Sequence, residues 1–201
     1  MVNFPPPELI GDPTEDRRRK ETDHAKKLWL GSVYAESLNP SHVMFVDADD
    51  LVSRRLAAYV DEHTHSNGWY INEGFEHPSK KEIIYPKSKF YTKCGTSNII
   101  RYDLLKPLLE THLDQVDTRG GAPYVRHKLQ RSYFARIGNP LLPLPFKGAV
   151  YVTGHGDNNF LEYFSSKQKT LLDFGRLYGG KLRKRLVAMP ITSEMRDEFG
   201  L

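Results

Sequence analysis

Three aspartates crowd together at Asp47-Ala48-Asp49-Asp50, directly after the apolar run Val43-Met44-Phe45-Val46. An uninterrupted run of this kind suits a strand covered on both faces. Ligands of open α/β sheets bind beyond the carboxyl ends of such strands. Carboxylates packed at that point repel one another unless a cation joins them. Hard oxygen donors select Mg²⁺ or Mn²⁺, and either ion can bridge to phosphate oxygens. The chemistry predicted is metal-assisted handling of a diphosphate. A solvated acidic turn leading into a helix would use the same residues, and the preceding strand is what favours the metal.

Four further groups could carry or adjoin chemistry. His155 and Asp157 lie in Gly154-His155-Gly156-Asp157-Asn158-Asn159, just past a predicted strand over 149–153. Flanking glycines present the imidazole as a candidate metal ligand. Asp157 is a candidate general base or a neighbour of the metal, against the Asx turn that its asparagines favour. Gly95-Thr96-Ser97-Asn98 combines a residue that permits close backbone approach with neutral groups suited to hydroxyls; a β-bulge would account for the same residues. The single cysteine, Cys94, is expected to be a buried small side chain rather than a nucleophile. Asp23 and Lys27 stand four apart, the spacing of an ordinary helical ion pair.

The elements that must position these groups alternate. A helix is predicted over 17–38 after a start at Asp12–Asp16, and it stops before Asn39-Pro40. The strand over 43–46 follows, then a helix over 54–62 capped by Ser53. Strands are predicted over 69–71 and 83–85, with one or two more over 90–100 broken at Gly95; helices are predicted over 102–113 and 123–135, a strand over 149–153 and a helix over 164–177. Met1–Phe4 reads as a strand end cut off by Pro5-Pro6-Pro7. This succession is α/β with some antiparallel strands, in one domain over 1–201.

Composition bounds the function. The chain has 201 residues, with 29 Lys and Arg against 25 Asp and Glu, a net charge of +4. That bias fits an anionic small molecule and is too weak to imply nucleic acid. A lone cysteine excludes an internal disulfide and points to a reducing cytoplasm. No stretch approaches a membrane span. The run Lys181-Leu182-Arg183-Lys184-Arg185 would allow contact with a membrane surface, although such runs are more commonly solvated faces.

Val43–Val52, VMFVDADDLV, resembles the strand-plus-DxD element of glycosyltransferases of the GT-A type, above all the family-2-like group. Asp23, Lys27, Gly31 and Ala35 recur on one helical face and resemble the helix that precedes that strand in some members. Phe90–Arg101 looks like the acceptor-side segment. The resemblance spans roughly Asp23 to Asn159. It implies a GT-A-like mixed sheet flanked by helices, and transfer of a hexosyl group from a nucleotide-sugar donor to a hydroxyl of a saccharide or other acceptor. Mn²⁺ or Mg²⁺ is the implied cofactor. Asp23, Lys27 and Asp47 would face the donor, and Asp49, Asp50 and His155 the metal. Gly95, Thr96, Ser97 and Asn98 would line the acceptor pocket, with Asp157 as base.

The chain departs from that pattern in two places. Fewer than fifty residues precede the acidic turn, so the first nucleotide-binding strands are missing: either the GT-A-like sheet is truncated at the N-terminus or something else supplies that half. A sheet edge left open in this way is one that a homo-oligomer would cover. The usual Glu-Asp pair after the acceptor segment is also missing. Two alternatives stand beside this reading. One is a haloacid-dehalogenase-like phosphatase with Asp47 as nucleophile. The other is a non-catalytic sugar- or nucleotide-binding fragment.

Overall fold

A helix start is written into Asp12-Pro13: an acceptor for free N–H groups, then a residue with φ preset for the first turn. In the computed structural model, which describes residues 5–110, 126–154 and 187–201, helix α1 (Pro13–Ala35) begins there. Asp12 accepts from the backbone N–H of Thr14 at 3.0 Å and of Glu15 at 2.8 Å. The chain leaves α1 through a 3₁₀ turn, Glu36–Leu38, closed by Asn39 at φ 46°. The helix is largely polar, with only Ala25 and Ser32 buried. It is docked by two bonds: Trp29 Nε1 donates to the Leu109 carbonyl at 3.2 Å, and the Tyr102 hydroxyl to the Ser32 carbonyl at 2.9 Å.

The described strands form two mixed sheets. In the first, β1 (His42–Met44) pairs antiparallel with β6 (Asn98–Arg101). On the other side β6 pairs antiparallel with β3 (Gly68–Tyr70), which runs parallel to β7 (Leu142–Pro143). In the second, β2 (Leu51–Val52) pairs antiparallel with β8 (Ala149–Thr153), and β8 runs parallel to β4 (Glu73–Pro78). The sheet continues through antiparallel β5 (Ile83–Ser88) to β9 (Met189–Pro190). Since β1 belongs to one sheet and β2 to the other, the acidic turn between them is where the chain crosses from sheet to sheet.

Helices flank this frame: α2 (Leu56–Glu62), α3 (Tyr102–Leu105), α4 (His127–Arg136) and α5 (Ser193–Phe199). The architecture is mixed α/β, as expected. Several boundaries differ. Strand β1 ends at Met44, because Asp47 bonds to Thr96 and pulls the chain off the sheet. Of the residues expected in strands over 90–100, Phe90–Thr92 form a 3₁₀ turn, and pairing begins only at Asn98. The helix expected over 102–113 tightens at Lys106-Pro107 into a 3₁₀ turn ending at Leu109; proline lacks the N–H an α-helix needs there. Helix α2 starts at Leu56, with Ser53 bonding to the Arg55 N–H at 3.1 Å just ahead of it. The readings of Met1–Phe4 and of 164–177 lie outside the described residues.

The main core sits between the sheets and α2: Leu56, Trp69, Ile71, Phe90, Cys94, Ile99, Leu144 and Ala149. A second cluster, Ile100, Leu105, Leu109, Phe134 and Leu141, takes in Trp29 and Val33 of α1. Full burial of each large side chain contributes about 1.5–3 kcal/mol. Met44, Phe45, Leu51 and Val52 pack against the clusters, so both ends of segment 44–52 are anchored while Val46, Ala48 and Asp49 stay exposed. Among the described residues no helix is long and apolar enough to cross a membrane.

Candidate functional site

Where the chain crosses between the sheets it makes a tight turn. The Asp50 N–H donates to the Asp47 carbonyl at 3.0 Å, with Ala48-Asp49 at the tip. The turn is tied to the segment leading into β6, because the Asp47 N–H donates to Thr96 Oγ1 at 2.9 Å. The Asp47 carboxylate lies over Gly95, and a β-carbon on Gly95 would sit 2.7 Å from Asp47 Oδ2. A residue without a side chain is thus what this contact requires. Segments 47–50 and 95–98, read separately in the sequence as the metal side and the acceptor side, meet here.

The three carboxylates differ in surroundings. Asp49 is exposed at the tip and Asp47 is half-buried, whereas Asp50 is 7% exposed. Asp50 turns inward. Its Oδ2 accepts from Cys94 Sγ at 2.9 Å and its Oδ1 from the Val152 N–H at 3.2 Å. Burial raises the Asp50 carboxyl above its ordinary value, opposed by hydrogen bonds from Cys94, Thr96 and Val152. Burial also raises Asp47, reinforced by the negative charge of Asp50 and partly offset by His24. A site that disfavours its own negative charge in this way gains from a bound cation. Cys94 is 1% exposed, and burial followed by the adjacent Asp50 pushes its thiol well above the usual range. It is a buried donor, as its sequence context suggested, and not a nucleophile.

The other expected residues are placed as follows. Thr96, Ser97 and Asn98 are all buried. Thr96 serves Asp47, while Asn98 Nδ2 donates to Ser97 Oγ at 3.2 Å and to the His127 carbonyl at 3.1 Å. These three hold the turn and the start of α4 in place, and of the four only Gly95 reaches the surface. Asp23 and Lys27 form the helical ion pair at 2.7 Å, and Asp23 lines a small hollow of about 310 Å³ beside Thr22 and Lys26. His155 and Asp157 lie outside the described residues. Sequence reasoning missed His24, the α1 residue whose charge acts on Asp47; a lone histidine in a polar helix gives no signal of the turn it will face.

No family model, curated protein or solved structure matches the chain. The chemistry of the site therefore rests on its own residues. Among the described residues no group of three or more His, Cys, Asp or Glu side chains is gathered to hold a metal. A smaller set is still chemically suitable. Mg²⁺ and similar ions take one or two carboxylates and fill the remaining positions with water and phosphate oxygens. Asp47 and Asp49 could supply those carboxylates, with Asp50 bracing the turn from beneath.

Proposed function

We propose that the chain is a divalent-metal-dependent glycosyltransferase of the GT-A type, transferring a sugar from a nucleotide-sugar donor to an acceptor hydroxyl. The observation that carries this reading is the junction of Asp47 with Gly95 and Thr96. It joins an acidic turn fit for a metal and its diphosphate to a segment whose sequence resembles an acceptor side. The mixed α/β architecture is compatible with it.

In this reading Asp47 and Asp49 hold Mn²⁺ or Mg²⁺, which when bound would neutralise charge on a departing diphosphate. Thr96 fixes the backbone of Asp47, and the bare Cα of Gly95 leaves room for its carboxylate. Asp50, held by Cys94 and Val152, sets the angle of the turn and adds negative charge from below. Asp23 and Lys27 stay on the donor side, Lys27 reaching a phosphate by exchanging its partner Asp23. His155 completes the metal side, and Asp157 takes the proton of the acceptor hydroxyl.

The test is a thermal-shift titration of uridine and guanosine diphosphates with and without Mn²⁺, on the wild-type chain and Asp49→Ala. Ligands that favour the folded form raise its melting point. The wild type should show a shift that requires Mn²⁺, and Asp49→Ala should lose it while melting normally by itself. A shift that persists in Asp49→Ala would end the metal assignment. Metal-dependent binding without sugar transfer or donor hydrolysis, across a panel of nucleotide sugars, would instead favour a binding fragment.

A further inference from the structure

We propose that the surface made by Tyr70, Tyr91 and Arg131 holds the acceptor, and that this acceptor is a saccharide bearing carboxylates. The role of acceptor follows from the transferase reading; the affinity for carboxylates does not. Of the four residues expected to line an acceptor pocket, Thr96, Ser97 and Asn98 are buried. A molecule that approaches Gly95 must therefore be held by neighbours that reach solvent.

Those neighbours are fixed in place. Tyr91 lies in the 3₁₀ turn Phe90–Thr92, ahead of Gly95 in the chain. Phe90 is fully buried, and the Phe90 and Tyr91 N–H groups donate to the Asn72 and Ile71 carbonyls, each at 3.0 Å. Arg131 belongs to α4 and shares a helix face with His127, one turn earlier. Asn98 Nδ2 donates to the His127 carbonyl at 3.1 Å, which holds α4 against the segment that begins at Gly95. Tyr70 of β3 completes the group. Its ring meets that of Tyr91 edge-on, with centroids 5.1 Å apart. The Arg131 guanidinium carbon lies 5.2 Å from each ring centroid, and Nη1 donates to the Tyr91 hydroxyl at 3.2 Å.

These contacts position the Arg131 side chain without neutralising it. Two ring faces and a phenol oxygen carry no formal charge, and among the described residues no carboxylate pairs with it. The charge around it has one sign. Segments 83–102 and 126–154 contain no Asp or Glu. Exposed Lys89 and Lys93 flank Tyr91 in the chain, and exposed Lys128 stands one turn ahead of Arg131 on α4. A guanidinium held in one plane donates two parallel N–H bonds to a carboxylate. Fixing it beforehand removes part of the cost of ordering it on binding. Single-stranded nucleic acid fits this surface less well, because its bases stack on open aromatic faces, and here Arg131 already lies over both rings. A chain of uronic-acid sugars offers repeated carboxylates to the cations and neutral hydroxyls to the tyrosine beside them.

The experiment is calorimetric titration of the full chain, in EDTA and without nucleotide. The probes are short oligosaccharides of glucuronic, galacturonic and mannuronic acid, their carboxyl-reduced neutral counterparts, and an oligothymidylate of equal charge. At least one uronate should bind, and its neutral counterpart should not. Arg131→Gln should weaken binding by about tenfold or more, the scale of a lost charge-assisted bond. Arg131→Lys should recover only part of the loss, since it keeps the charge but not the fork. Arg136→Gln removes the same charge from a different face of α4 and should change nothing. Arg131 is exposed, so its variants should melt with the wild type, and lost binding cannot then be ascribed to misfolding. Asp49→Ala should bind the uronate as the wild type does. The proposal is overturned if no uronate binds, if the neutral sugars bind equally well, if Arg131→Gln binds normally, or if the oligothymidylate binds more tightly than every uronate. Uronate binding lost in Arg131→Gln, in a wild-type chain that takes no nucleotide with Mn²⁺, would uphold the carboxylate site and end the transferase reading alone.

Discussion

Cys94 Sγ lies 2.9 Å from Asp50 Oδ2, so the only thiol of the chain donates into the innermost carboxylate of the acidic turn. The bond links the segment leading into β6 to the crossover between the two sheets. Removing the donor leaves a buried carboxylate with one fewer partner. Cys94→Ala should therefore destabilise the protein by about 1–3 kcal/mol, the cost of an unsatisfied buried polar group. Cys94→Ser, which retains an O–H donor, should lose less. Urea unfolding of the three proteins decides the point, and equal midpoints for wild type and Cys94→Ala would show that the bond contributes nothing. The same geometry predicts that Cys94 resists a thiol reagent until the protein unfolds.

Gly95 offers a test of how Asp47 is aimed. A methyl group there would sit 2.7 Å from Asp47 Oδ2, a distance that forces the short carboxylate to swing aside. Gly95 has no left-handed φ to strain, so Gly95→Ala should fold. If Asp47 is a metal ligand, Mn²⁺ affinity should fall roughly tenfold or more, the scale seen when groups supporting ligands are altered. Unchanged Mn²⁺ binding, followed by proton relaxation of water, would exclude Asp47 from the metal.

These two contacts show what the sequence could and could not reveal. The apolar run ending in aspartates marked a strand end, and that end does lie at the crossover of two sheets. Short apolar runs located β3 and β8 closely and the start of β5, and the helix start read at Asp12–Asp16 contains the first residue of α1, Pro13. The break at Gly95 was legible as well, but not its reason: the carboxylate it accommodates comes from 48 residues upstream, and no local pattern encodes that pairing. For the same reason Asp50 reads like its neighbours in sequence. Cys94, Thr96 and Val152, brought from other elements, turn it inward. Thr96, Ser97 and Asn98 looked like ligand-facing groups because residue type reveals the capacity to hydrogen-bond, not the partner. Inside the fold Thr96 serves the Asp47 backbone, and Asn98 serves the Ser97 hydroxyl and the His127 carbonyl.

Gly68 is a sharper prediction about the fold. It takes φ +123° at the start of β3, and a β-carbon there would collide with the Ile99 carbonyl across the β3–β6 pair. The obstacle is backbone, which cannot swing aside. Gly68→Ala should cost about 3 kcal/mol, combining left-handed strain with a lost cross-strand fit. Gly138 is the control, since it also has positive φ, +80°, but open space where a side chain would go. Gly138→Ala should show strain alone, about 1 kcal/mol. Similar losses for the two, measured by denaturant midpoints, would mean that the β3–β6 contact yields more easily than this geometry allows.

Glu198 ties the C-terminal helix to α2 and gives the chain a defined response to acid. Its carboxylate accepts from Arg55 Nε at 2.7 Å and from the Ser53 hydroxyl, while Phe199 stacks edge-on against Phe75 with ring centroids 5.9 Å apart. Burial acts to raise its pKa, but the hydrogen bonds from Ser53 and Arg55 and the charge of Arg55 outweigh it, and the net shift is downward. A carboxyl with a lowered folded pKa binds fewer protons when folded. Its contribution is therefore complete above the ordinary value of 4.5, and is lost as pH falls through the folded pKa. At pH 7, Glu198→Gln should be less stable by about 1 kcal/mol, the scale of a partly exposed charge-assisted bond. That gap should close steadily below pH 4.5, as the wild type takes up the proton. A gap that stays constant from pH 7 down to pH 3 would show that shape, and not charge, is what Glu198 contributes to seating α5.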